Sequence, residues 1–171
     1  MSSAKFVLQR WPVFAQLASA AMLAIAHGFE TFGHLAPCHL CLKQREAYWI
    51  ALAVAAAAIA APRVSQRLPW RQIGGVALAA AFAYGAYLAA FQSGAEWKWW
   101  PAPEGCSSAG PVSASALKAL LRGAAAATPP CDRAAWVFLG LSMAGWNFIA
   151  SVTLAALSLA SALVKGQTAA R

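Results

Sequence analysis

The stretch that decides the reading is Pro37-Cys38-His39-Leu40-Cys41-Leu42-Lys43-Gln44-Arg45, which stands between two long apolar runs. A C-x-x-C where a chain reverses between apolar runs admits three readings: a metal knuckle, two inert small side chains, or a redox couple. The flanking sequence chooses among them.

Outward from this hairpin, the 171-residue chain is 61% hydrophobic and 11% charged. A soluble domain carries about twice that charged fraction. The charges cluster and leave four windows free of Lys, Arg, Asp and Glu. These are 11–29 with 19 residues, 47–61 with 15, 73–91 with 19 and 134–164 with 31. The short second window extends backward through the hairpin. Roughly 20 apolar residues cross a bilayer, so four helices fit and a fifth does not. The fold class is therefore an all-α membrane protein, a four-helix transmembrane bundle forming a single domain over 1–171. The spans are placed near 12–32, 44–61, 72–91 and 134–163, and the outer loops at 33–43 and 92–133. Alanine, abundant in every span, lets helices approach closely in lipid.

Lys and Arg near the span ends set the orientation. Lys5 and Arg10, then Arg63, Arg67 and Arg71, then Lys165 and Arg171 lie in segments without any acidic residue. The other side carries all five acidic residues, Glu30, Glu46, Glu96, Glu104 and Asp132, with Lys43, Arg45, Lys98, Lys118, Arg122 and Arg133. The raw count is seven against six, but two of the six lie mid-loop, so both termini are read as inside. The net charge of +8 is then a topology signal. With the basic residues split among termini and loops, there is no single patch for nucleic acid. Lys5 and Arg10 before an apolar run and Ala24-Ile25-Ala26 resemble a cleavable signal peptide. The run continues to Phe29, and the C-x-x-C hairpin needs the first helix, so the segment is read as a retained span.

The long loop opens with Trp97, Trp99 and Trp100, the residue type that anchors span ends at the interface. Inside it, Leu117, Leu120 and Leu121 recur at helical spacing beside Lys118 and Arg122. That pattern predicts a short helix over 113–126, either amphipathic on the membrane surface or a plain solvated one.

All four cysteines, Cys38, Cys41, Cys106 and Cys131, fall in the two outer loops and none inside a span. Co-location argues for disulfide chemistry in an oxidising compartment. Spacing makes two pairs natural, Cys38 with Cys41 and Cys106 with Cys131. Structural zinc usually takes two C-x-x-C knuckles, and here there is one. A structural disulfide suits the 25-residue step from Cys106 to Cys131, where closure stabilises by about 3 kcal/mol. It suits Cys38 and Cys41 poorly, because that loop is too small to gain much. C-x-x-C is the motif of easily cycled disulfides. Cys41 falls near a helix N-terminus, where the dipole favours a thiolate. Arg45, one turn on, places a positive charge nearby. Haem is disfavoured, since His27 is the one histidine within a span. Spacing alone names no electron acceptor. Four membrane helices without another cofactor motif point to a lipid-soluble one.

"CHLCLKQR" after a first span, a cysteine pair in a long second outer loop, and "CDRAAWVFLGLSMAGWNF" over 131–148 together resemble the DsbB family, bacterial inner-membrane disulfide bond formation proteins. The resemblance covers essentially the whole chain. It implies a four-helix bundle with both termini cytoplasmic and the cysteines periplasmic. It implies oxidation of a periplasmic thioredoxin-fold, DsbA-like partner, with electrons passed to ubiquinone or menaquinone. By the same resemblance, Cys106 exchanges with the partner's cysteine and Cys131 resolves that mixed disulfide. Cys38 and Cys41 then receive the electrons, Cys41 faces the quinone as a thiolate, and Arg45 polarises that site. A DsbA-type donor lies at about −120 mV, so its acceptor must lie higher. One departure stands out. Many members carry a histidine where the third span ends. Here Gln92 takes that place, a side chain able to hydrogen-bond a quinone oxygen but unable to donate charge. Two other classes compete. A vitamin K epoxide reductase-like enzyme has its quinone-side C-x-x-C after the loop pair, the reverse of this order. A non-catalytic scaffold would hold both disulfides as structural links.

Overall fold

The computed structural model describes residues 3–65, 68–103, 106 and 129–164. Helix α1 (Ser3–Gln9) runs into α2 (Trp11–Thr31), with Pro12 in the first turn, where its missing N–H costs no bond. Helix α3 (His39–Val64) has Pro62 near its end, and α4 (Trp70–Glu96) follows directly on Pro69. A two-stranded hairpin, β1 (Val137–Phe138) and β2 (Leu141–Ser142), precedes α5 (Met143–Leu163). The helices α2, α3, α4 and α5 are each long and apolar enough to cross a membrane. The 21 residues of α5 span about 31 Å, matching a hydrocarbon core of about 30 Å.

Helix α4 is the hub, packed against both α3 and α5, while α2 leans on α3. The close approach depends on Gly74 and Gly75. A Cβ at Gly74 would meet the Ala58 Cβ of α3 at 2.6 Å, and one at Gly75 would meet the Ala162 Cβ of α5 at 2.9 Å. Small residues facing one another let packing hold the helices together where water exclusion contributes little. The interior is built on Trp11, Leu23, Tyr48, Leu78 and Phe82 with interleaved alanines. At the bundle's far end the Trp11 indole donates to Ser158 Oγ at 2.8 Å. Large side chains such as Leu17, Ile25, Trp49 and Tyr87 point outward, as helices surrounded by lipid require.

The element bounds differ from those read off the sequence. Helix α3 starts at His39, five residues before 44, because Cys38 caps it. Helix α4 runs on to Glu96 rather than 91. The stretch 134–142 is apolar but not helical: α5 begins only at Met143, where a span had been placed from 134. The reason is the turn. Leu139 and Gly140 have φ of 51° and 80°, and two successive left-handed residues are the signature of a tight hairpin turn. Register pairs Val137 with Ser142 and Phe138 with Leu141. Ser142 then caps α5, its hydroxyl accepting from the Gly145 N–H at 3.1 Å. The helix expected over 113–126 lies outside the described residues.

Candidate functional site: a four-cysteine cluster beside an apolar cavity

Cys38 is the N-cap of α3, with extended backbone, and its Sγ accepts from the Cys41 N–H at 3.2 Å. This is the capping geometry usually supplied by Ser, Asp or Asn. The C-x-x-C spacing follows from it: the N-cap side chain reaches the third residue of the helix, and that residue is the second cysteine. Both sulfurs therefore sit at the positive end of the helix dipole.

The second pair reaches the first through a folded-back loop. After α4, Lys98 takes a left-handed backbone, φ 63°, and the chain reverses. The Trp100 indole donates to the Phe91 carbonyl at 2.9 Å, and its ring stacks on Phe91 at 5.8 Å. Gly94 makes room, since a Cβ there would stand 2.0 Å from the Trp100 ring. The Trp100 side chain is thus a clamp on α4 and not simply an interfacial anchor. Lys98 Nζ binds Asp132 through the carboxylate at 2.9 Å and the backbone carbonyl at 2.8 Å, tethering the far end of the loop. Cys131 N–H donates to the Cys106 carbonyl at 2.7 Å. The result is one buried cluster of Cys38, Leu40, Cys106 and Cys131, with Cys41 packed against it.

All four thiols are free. The Cys38 thiol is held well above the usual thiol range, first by its hydrogen bond with the Cys41 side chain and then by burial. Burial, and then the Cys131 side chain, push the Cys106 thiol up to about 11. In the reduced protein these two sulfurs keep their protons at neutral pH.

Cys41 also lines a cavity of roughly 460 Å³ bounded by α2, α3, α5 and the hairpin. Its walls are apolar, including Met22, Ala26, Phe29, Leu35 and Met143, and its polar end carries Cys41, Gln44, Arg45, Tyr48, Gln92 and Asn147. That size, with an apolar lining and a few convergent polar groups, is the profile of a small-molecule site. Phe29, Trp136, Phe138 and Trp146 form a continuous aromatic row along it, with ring centroids 5.2, 5.7 and 6.4 Å apart.

The structure brings Cys38, Cys41, Cys106, Cys131 and Gln92 together. Gln92 is 5% exposed, and its Oε1 stands 3.8 Å from both the Cys38 and Cys41 sulfurs. Arg45 shares the cavity, but its charge is offset. The guanidinium binds Glu30 at 2.5 Å and the Ala26 carbonyl at 3.2 Å. Reading from sequence missed Glu30 and a polar network across three helices. Tyr48 donates to Asn147 Oδ1 at 2.6 Å, Asn147 to Gln44 Oε1 at 2.5 Å, Gln44 to Gln92 Oε1 at 2.8 Å and Gln92 to Glu96 Oε1 at 3.1 Å. The available signal was polarity itself. Amides inside membrane spans are uncommon and face the interior or a cavity, and Cys41, Gln44, Arg45 and Tyr48 recur at the spacing of one helix face.

Fold and site together define a class: a multi-pass helical membrane protein that gathers two cysteine pairs at one end of the bundle, arranged for thiol–disulfide chemistry. The family described as Disulfide bond formation protein DsbB matches residues 8–161. The chain is 31% identical to Disulfide bond formation protein B of Albidiferax ferrireducens over 151 residues, covering 86% of this chain and 83% of that protein. It is 34% identical to the protein of the same name from Methylococcus capsulatus over 151 residues, covering 82% and 85%. Its identity to the Acidovorax protein of that name is also 34%, over 158 residues, covering 87% and 83%. No solved structure gives a significant match. The chain belongs to the DsbB family, and is an oxidoreductase of disulfide bond formation.

Proposed function

We propose that this protein is a thiol:quinone oxidoreductase of the bacterial inner membrane. It oxidises a periplasmic thioredoxin-fold, DsbA-like partner and has both termini in the cytoplasm. One observation carries the reading. Cys41 belongs at once to the four-cysteine cluster and to the wall of the apolar cavity, so electrons arriving at the cluster have a direct outlet.

The steps balance as two-electron exchanges. The partner's two thiols are oxidised to a disulfide as the Cys106–Cys131 disulfide is reduced. That dithiol reduces the Cys38–Cys41 disulfide by thiolate attack, and the sulfurs already share one cluster. The cavity fits a flat, apolar headgroup: its walls are hydrocarbon and aromatic, with amide donors and acceptors at one end. Ubiquinone or menaquinone, when bound, supplies the acceptor for two electrons and two protons. Gln44, Gln92 and Asn147 orient the ligand's polar edge towards Cys41, and Arg45 contributes a guanidinium whose charge Glu30 offsets.

The test is quinone absorbance over time, with purified protein, a short-chain ubiquinone or menaquinone analogue and a reduced DsbA-like donor. Cys41→Ser abolishes quinone reduction. Cys106→Ser stops donor oxidation while a small dithiol still drives quinone reduction. Full quinone turnover by Cys41→Ser overturns the assignment.

A further inference from the structure

The polar network around the cysteines has a direction, and that direction ends at Glu96. Each donor points one way: Tyr48 O–H to Asn147, Asn147 N–H to Gln44, Gln44 N–H to Gln92 and Gln92 N–H to Glu96. An amide can exchange its oxygen and nitrogen ends by a simple rotation, so three amides in a row do not choose a direction for themselves. An ionised carboxylate is acceptor-only. With Glu96 at the end, Gln92 must give it an N–H, and its carbonyl must turn the other way, towards Gln44 and the sulfurs.

That orientation treats the two cysteines differently. Cys38 Sγ faces only the carbonyl oxygen of Gln92, at 3.8 Å. Cys41 Sγ is 3.8 Å from that oxygen but also 3.7 Å from the amide nitrogen. An S–H is stabilised by an acceptor and a thiolate by a donor. Gln92 so turned therefore keeps the proton on Cys38, opposing the N-cap bond from Cys41 N–H, which would otherwise favour charge on the Cys38 sulfur. The second Glu96 oxygen is buried without a close hydrogen-bond partner among the described residues, and the carboxylate's polar neighbours are the Ser142 hydroxyl and the Gln92 amide. The other groups around this end of the bundle are the thiols of Cys106 and Cys131, the His39 ring, the Lys98–Asp132 pair and the Ser142 hydroxyl, with the Arg45–Glu30 pair across the cavity.

We propose that Glu96 is a positioning residue: its carboxylate fixes the orientation of Gln92, and through it decides which sulfur of the Cys38–Cys41 pair is the reactive one. The consequence for electron transfer rests on the function proposed above. The orientation itself does not, and it is tested without quinone or donor.

The experiment uses the full chain in detergent, reduced, with Cys106→Ser and Cys131→Ser to isolate the pair. Iodoacetamide alkylation of Cys41 and of Cys38 is followed separately by peptide mass spectrometry across pH. Glu96→Gln lowers the Cys41-to-Cys38 rate ratio about tenfold, the equivalent of one pH unit of discrimination. In a Gln92→Leu background the ratio is already low and Glu96→Gln leaves it unchanged, the non-additivity expected of residues acting in series. Loss of negative charge alone acts on Cys41 more than on Cys38, so it raises the ratio, opposite in sign to the expected drop. An unchanged ratio in Glu96→Gln, or an equal drop with and without Gln92, overturns the proposal. If Glu96→Gln does not fold, Glu96→Asp draws the carboxylate back by one methylene and is judged by the same ratio.

Discussion

The docking of the second loop onto the C-x-x-C depends on a single missing methyl group. Gly94 faces Trp100, and the Cβ of an alanine there would lie 2.0 Å from Cζ2 and 2.4 Å from Cε2 and Cη2 of the ring. The helix backbone does not yield, so the ring must. Displacing it breaks the Trp100–Phe91 hydrogen bond of 2.9 Å and the stack on Phe91. The bond contributes about 1 kcal/mol and the aromatic pair about 1 kcal/mol. About 2 kcal/mol multiplies the undocked fraction roughly 30-fold. In the reduced protein Cys106 is 3% exposed and Cys131 fully buried, so their alkylation in native detergent micelles reports the undocked population. Gly94→Ala raises those two rates roughly 30-fold against their rates in the denatured chain. Gly28→Ala, whose Cβ meets nothing within 4 Å, leaves them unchanged. Quinone reduction driven by the protein donor falls in Gly94→Ala, while reduction driven by a small dithiol acting directly on Cys38 and Cys41 does not. Alkylation at wild-type rates in Gly94→Ala would refute the clamp.

Other outcomes follow from the same geometry. Tyr48→Phe strips a donor from Asn147 Oδ1 and a partner from Ser151. It lowers stability by about 1–2 kcal/mol, read from denaturant titration of the helical signal; an unchanged midpoint would count against the network. Glu30→Gln unpairs Arg45 in a site where Glu30 is 39% exposed, so the stability cost is under about 1 kcal/mol. The unbalanced guanidinium speeds Cys41 alkylation, and a slower rate would contradict the offset of charge. The raised Cys106 thiol gives a pH dependence of definite sign. The docked loop binds that proton more tightly than the undocked one. Its stabilisation is complete below the ordinary value of 9.0 and is lost as pH rises to about 11. Proteolytic susceptibility of the reduced loop therefore increases over that interval, and a flat profile would remove the cause given for the shift.

Much of this was legible in one dimension. Membrane spans announce themselves because about 20 consecutive uncharged residues have few other uses, and four such windows lie in the chain. The C-x-x-C announced its chemistry because its spacing joins an N-cap to the third helical residue, a purely local geometry. The ends of the elements were less legible. Hydropathy continues smoothly through 134–142, whereas Leu139 and Gly140 turn the backbone into a hairpin there, a conformational event that apolarity does not encode. The pairing of Arg45 with Glu30, 15 residues earlier on another helix, needed the crossing of α2 and α3. The amides Gln44, Gln92 and Asn147 are scattered over three helices, and only their packing makes them one network. The sequence by itself determined four spans, two cysteine pairs and the polarity of one helix end. Tertiary structure decided that both pairs meet in one cluster, that Cys41 joins it to the cavity, and that Glu96 stands at the end of the amide chain. These are contacts between residues far apart along the chain, and the close approach allowed at Gly74, Gly75 and Gly94 brings them together.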